Sequence, residues 1–318
     1  MRGALAALMG LASFGALLGA SSADTPPGQV VHVLYAGSLV TPFEKQIVPA
    51  LAVRGYALEG EARGSVANAN MIRAGLKSPD IFISADAGVT EKLLSGADAP
   101  IAWYVSFATT RLAIAYSPAS PFAARFRDAQ AGRVKWYDVL RTPGLKLGRT
   151  DPAVDPKGYR TILAMELADR LYHLPLRERI LGADGNPAQI LPEETLLTRL
   201  EGGDLDAAFV YTVESTTRKL PTVDLPPEID LGDPKFAARY REVSVTVNGT
   251  AHVGEPIAYA LTIPKDPPNP QGALAVVRFL LGEEGRKILD GAGLTLTPLA
   301  FHGDLSAVPA DLRGSQTR

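Results

Sequence analysis

Gly37-Ser38 and Gly64-Ser65 each stand where an apolar run gives way to a helical pattern. A serine hydroxyl beside free N–H groups and the positive end of a helix dipole is a donor set for a small anion. Serine is also an ordinary N-cap, and a single such pair would mean no more than that. Two at equivalent points of successive units carry more weight. Tyr211 ends the apolar run "DAAFVY", from which its hydroxyl can donate into the same space. Carboxylates lie in the same stretches: Asp155 in "TDPAVDPKGYRT", Glu193 and Glu194 heading "EETLLTRLEGG", and Glu214 just beyond Tyr211. Pro156 biases Asp155 to an extended conformation at a helix start, where a carboxylate either caps the helix or points at what the helix start binds. Acidic residues in a first helical turn, such as Glu193 and Glu194, are routine dipole partners.

Nucleophilic catalysis finds little support. There is no Gly-x-Ser-x-Gly, no Cys, no phosphate-binding P-loop and no dinucleotide fingerprint. His32, His173, His252 and His302 are scattered without metal-ligand spacing. A carboxylate pair across a cleft is compatible with an exported hydrolase, but no local acid/base signature accompanies Asp155 and Glu193.

The elements that must position these groups follow a regular rhythm. "QVVHVLYAG" reads as a buried strand, and Phe43, Ile47 and Leu51 then recur at helical spacing, with Ser38 as the expected N-cap. "YALEGEARG" reads as a second strand. Ser65 opens a second helix with Ile72 and Leu76 on its inner face, and "DIFISAD" follows as a third strand. Strand, Gly-Ser, helix, repeated, is the pattern of an open α/β sheet with βαβ crossovers, whose ligands bind beyond the carboxyl ends of the strands. "TRLAIAYSP" (110–118) and "EPIAYALTIP" (255–264) read as strands linking two lobes. The expected division is 24–113 with 260–318 as lobe one and 114–259 as lobe two. "NPQGALAVVRFLLGEEGRKILDGAG" is expected to return to lobe one through Ala275, Phe279 and Leu280.

The chain has 318 residues, 46% apolar and 21% charged, with formal net charge −2. That length suits about two domains, and the charge gives no reason to expect a nucleic-acid partner. Arg2 followed by the apolar run Ala4–Leu18 and the small residues "GASSAD" read as a secretory signal peptide over 1–23, cleaved near Ala23. With no cysteine there is no disulfide framework, and a periplasmic, monomeric globule is expected.

Taken together, "YAGSLVTPFE", "RGSVANA", "SPDIFISAD", "TDPAVDPKGYRT" and "AAFVYTVES" resemble the tungstate branch of the molybdate/tungstate-binding proteins that serve ABC transporters. "WYVSFATTRLAIAYSP", "KWYDVLRTP", "LPPEIDLGDPKFAARY" and "GEPIAYALTIP" fit the same pattern, so the likeness spans nearly all of the mature chain. The resemblance implies a type II periplasmic-binding-protein fold, with two doubly wound lobes on a two-strand hinge. It implies a non-enzymatic receptor with no cofactor, an inner-membrane permease as partner and tungstate or molybdate as ligand. Ser38, Ser65 and Tyr211 would hold oxo groups, and Asp155 and Glu193 would ligate the metal centre. Glu193 is taken for its place eighteen residues before Tyr211, with Glu194 and Glu214 as alternatives. Lys157 departs from the pattern, standing where related sequences carry a small residue.

This resemblance accounts for carboxylates at an anion site. A carboxylate about 4 Å from one negative charge costs about 4 kcal/mol at an effective dielectric near 20. A hexavalent metal centre is a hard Lewis acid, and one carboxylate from each side could join its coordination shell. Sulfate offers no such vacancy, so a receptor for sulfate or another tetrahedral oxyanion would use neutral donors only. Nothing in the residues ranks tungstate against molybdate.

Overall fold

The computed structural model describes residues 30–313, so the expected signal peptide over 1–23 lies outside the described residues. Strands β1 (Val30–Ala36), β2 (Ala57–Arg63) and β3 (Ile81–Ser84) run parallel in the order β2-β1-β3. β3 is buried throughout, as expected of a parallel strand covered on both faces. β2 is the edge and carries Glu59, Glu61 and Arg63, charges that discourage further strand pairing. β4 (Trp103–Thr109), β11 (Ala258–Thr262) and β12 (Thr295–Gly303) extend this sheet antiparallel, giving β12-β4-β11-β3-β1-β2.

A second sheet, β6-β7-β5-β8, is built from β5 (Leu112–Tyr116), β6 (Leu147–Gly148), β7 (Ala207–Tyr211) and β8 (Thr222–Asp224). A hairpin of β9 (Ser244–Val247) and β10 (Thr250–Val253) stands apart from both sheets. The mixed α/β architecture expected from the sequence is therefore present. The chain leaves the first sheet at Thr110–Arg111 and rejoins it just ahead of β11. The two passages lie side by side, since the Thr109 hydroxyl donates to the Ile257 carbonyl at 2.5 Å. The divisions expected at 113/114 and 259/260 fall inside β5 and β11.

Local chemistry explains several departures from the expected pattern. From Gly37 to Ala52 the chain is helical, but its pitch changes from a 3-10 turn through α to a π stretch, Phe43–Ile47, and back. Pro49 has no N–H to return to the Lys45 carbonyl, and the ladder widens just before it. Phe43, Ile47 and Leu51 still point inward. The next helix ends at Arg73, with Gly75 at φ +66°, so Leu76 is 74% exposed and not on a buried face. In the Pro270–Leu281 helix the buried stripe is Ala273, Val276, Val277 and Leu280, while Ala275 and Phe279 are half-buried. Arg54 covers the Phe279 ring at 4.9 Å, which accounts for that side chain staying near the surface.

Candidate functional site

Ser38, Ser65 and Asp86 follow the carboxyl ends of β1, β2 and β3, where an open parallel sheet presents its ligand-binding edge. Neither serine caps its helix. Ser65 is the first residue of the Ser65–Arg73 helix, and its hydroxyl accepts from the Ala85 N–H at 3.0 Å. The Ser65 O–H is thereby left as a donor. The Ser38 hydroxyl shares a 2.7 Å hydrogen bond with the Tyr259 hydroxyl from β11. The expected N-cap role is corrected for Ser38, whose hydroxyl is held by β11, while Ser65 opens its helix as expected and its hydroxyl is held by the residue after β3. Asp86 is the true cap of this group, accepting from Gly88 N through Oδ1.

The opposite wall comes from the half containing β5–β8. Asp155 caps the Pro156–Tyr172 helix, its Oδ1 accepting from Lys157 N at 2.8 Å, and Pro156 is preset for the first helical position. Cap geometry uses one carboxylate oxygen and leaves Oδ2 without a protein hydrogen bond among the described residues. Glu193 opens the Glu193–Glu201 helix, which Leu196, Leu197 and Leu200 anchor in the core. Both carboxylates thus belong to the same half, and the expectation of one from each side is corrected.

The three glutamates separate by their partners. Glu214 is fully engaged, with Oε2 accepting from Tyr211 N at 2.7 Å and Oε1 from Lys157 Nζ at 2.5 Å. Glu194 is half exposed and paired to Arg218 at 2.6 Å. Glu193 takes Lys157 Nζ on Oε1 at 2.7 Å, and its Oε2 faces Gly37 across the cleft.

Tyr159 and Arg160 join the two halves. Arg160 donates to the Ala85 carbonyl at 2.6 Å and to the Tyr211 hydroxyl at 3.0 Å, and pairs with Asp86 at 2.9 Å. The Tyr159 hydroxyl also donates to Asp86. Because the Tyr211 oxygen accepts from Arg160, its own O–H is left as a donor. A continuous polar network therefore links Ser65, Ala85, Arg160 and Tyr211, and continues through Glu214 and Lys157 to Glu193.

Charge is concentrated and dry here. Burial pushes the Asp155 carboxyl up to about 7, and the neighbouring Glu193 adds to the rise. Burial likewise pushes Glu214 up to about 8, against the pull of Lys157. Burial alone would lower Lys157, but Glu193, Glu214 and Asp155 together hold its ammonium firmly protonated. A cavity of about 500 Å3, lined by Gly37, Gly64, Thr150, Asp155 and Glu193, opens onto this cluster. Among the described residues, no three or more His, Asp or Glu side chains converge as ligands for a bare metal ion.

The sequence-identified residues Ser38, Ser65, Tyr211, Asp155 and Glu193 are all tied to this one region. Tyr259, Asp86, Tyr159 and Arg160 were missed. The Gly-Tyr-Arg after Asp155 was the available signal, since two large polar side chains at the start of a buried helix require partners.

A family model for bacterial extracellular solute-binding proteins matches residues 31–295. A molybdate/tungstate-binding protein WtpA of Thermococcus kodakarensis is 32% identical over 89% of this chain and 86% of its own. A putative ABC transporter molybdenum-binding protein of Haloferax volcanii is 36% identical over 84% of this chain and 81% of its own. Among solved structures, the periplasmic molybdate-binding protein of Azotobacter vinelandii superposes with a TM-score of 0.59, covering 84% of this chain and 99% of that one. At 19% identity that likeness concerns the fold alone.

Proposed function

The chain belongs to the bacterial extracellular solute-binding proteins, and we propose that within that family it captures tungstate or molybdate and delivers it to an ABC permease. The names of the similar WtpA and molybdenum-binding proteins support the reading. The observation that carries it is the pairing of Asp155 and Glu193, each with one oxygen held by a protein donor, beside the hydroxyls of Ser38, Ser65 and Tyr211. Hydroxyl donors suit any oxyanion. Two carboxylates repel one unless its central atom accepts them as ligands. In this reading Asp155 and Glu193 ligate the metal of the cargo, the hydroxyls hold its oxo groups, and the protein turns over no substrate. It works in the periplasm as a monomer, after removal of a signal peptide ending near Ala23.

Calorimetric titration of the purified chain tests the proposal. Tungstate and molybdate should bind far more tightly than sulfate. Sulfate binding as tight as tungstate would overturn it in favour of a general oxyanion receptor.

A further inference from the structure

Lys157 has no solvent-exposed side-chain surface, and its ammonium lies between two carboxylates. Glu214 anchors it, because the other Glu214 oxygen is fixed on the Tyr211 N–H. Glu193, by contrast, is held on Oε1 by Lys157 and has the buried Glu214 carboxyl as its other side-chain neighbour. Among the described residues no backbone N–H donates to the Glu193 carboxylate, unlike that of Glu214. A glutamate side chain left free in a cleft rotates among several rotamers, and ordering it on binding costs entropy.

We propose that Lys157 is a positioning and selectivity residue: it clamps Glu193 by Oε1 so that Oε2 is presented, already oriented, to the central atom of the bound oxyanion. The inference rests on the receptor reading above and extends it to a residue that would otherwise be only an added cation. The clamp also couples two parts of the site. Tyr211, Glu214, Lys157 and Glu193 form one chain of hydrogen bonds, so the separation between the Tyr211 backbone and the Glu193 carboxylate is set by Lys157.

Removing the ammonium alone is a poor test. It strands buried Glu214 and makes the cleft more negative, which weakens every anion whatever its chemistry. The paired variant Lys157→Met/Glu214→Gln removes both members of the buried Lys157–Glu214 pair and keeps an amide oxygen for the Tyr211 N–H. Glu214→Gln alone is its control. Tungstate and sulfate affinities are measured by calorimetry for the parent and both variants, and tungsten L3-edge absorption spectra are recorded on the loaded proteins.

In the paired variant tungstate should weaken about tenfold or more, the scale of one lost charge-assisted hydrogen bond. Sulfate should change little, and the tungsten spectrum should shift toward that of tetrahedral tungstate. Glu214→Gln should keep most of the parent's tungstate-to-sulfate ratio and its spectrum. Equal losses for both anions with an unchanged spectrum would overturn the proposal, because Lys157 would then be contacting oxo groups directly. An unchanged ratio with full tungstate affinity would overturn it as well. A parent that fails to bind tungstate removes the receptor reading and this inference with it, whereas a binding parent with an indifferent paired variant removes this inference alone.

Discussion

A methyl group placed on Gly37 would lie 1.8 Å from Oε2 of Glu193. The two residues belong to opposite halves of the molecule, one just after β1 and the other at the helix preceding β7. The second Gly-Ser pair repeats the relationship: a methyl on Gly64 would lie 2.2 Å from the Val154 carbonyl oxygen, beside Asp155. The glycine before each serine is therefore what lets the carboxylate-bearing segments reach the serine edge. Neither glycine has a positive φ, so the requirement is for space and not for backbone freedom.

Gly64→Ala, whose methyl would meet the Val154 backbone carbonyl, should thus hinder closure while leaving each half folded. Overpacking of this kind costs about 1–3 kcal/mol, or roughly 5- to 150-fold in affinity if it falls on the closed state. Small-angle scattering at saturating tungstate should show the variant with a larger radius of gyration than the parent. An equally compact variant with parental affinity would mean that the Val154 segment simply shifts aside.

Asp86→Asn should weaken closure by a different route. The asparagine oxygen can still cap the helix through Gly88 N, but Arg160 and Tyr159 lose their charged partner from the other half. Breaking one side of a largely buried pair costs about 3–5 kcal/mol when the remaining charge finds no solvent. Because the pair acts through closure, tungstate and sulfate should weaken by similar factors. A change confined to tungstate would contradict this role.

The βαβ rhythm of residues 30–84 was legible because β1 and β3 are apolar runs and each Gly-Ser breaks the pattern in the same place. Asp155 as a cap was legible as well, since Asp-Pro is a local signal. The partners of Ser38 and Ser65 were not. Local sequence offers each serine its own helix, and the competing partners, Tyr259 and Ala85 N, are 221 and 20 residues away. Glu193 and Glu194 could not be separated by pattern because both stand in a first turn. Adjacent helical positions point about 100° apart, and tertiary packing decides which faces the cleft. Lys157 read as an added cation because Glu214, 57 residues later, gave no sign of being its partner.

The raised carboxyls give a pH dependence of unusual sign. Asp155 and Glu214 titrate near 7 and 8 in the folded chain but near 4 when unfolded. Between those limits the folded state binds more protons, so stability falls as pH rises. The melting temperature of the ligand-free protein should therefore be higher at pH 5 than at pH 8.5, with a shallower decline in Asp155→Asn. A melting temperature rising over that range would contradict the assignment.

Tungstate binding should release protons at pH 6, since ligating carboxylates must be ionised. Titrations in two buffers of different ionisation enthalpy measure this directly. The apparent enthalpy should differ between the buffers at pH 6 and converge near pH 9. Identical enthalpies at pH 6 would show that no carboxyl loses a proton on binding.

The central claim, that a carboxylate ligates the metal of the bound anion, is tested by the tungstate-to-sulfate affinity ratio in Asp155→Ser and Ser38→Ala. Serine at 155 keeps a good helix cap and removes only the carboxylate, so the fold is preserved. Tungstate should weaken by several kcal/mol, estimated as about two charged-donor interactions, while sulfate is unchanged or slightly improved. Ser38→Ala deletes a hydroxyl common to all oxyanions and should weaken both together. The account predicts that the ratio collapses in Asp155→Ser and holds in Ser38→Ala. Parental tungstate affinity in Asp155→Ser would contradict it and leave Asp155 as a helix cap alone.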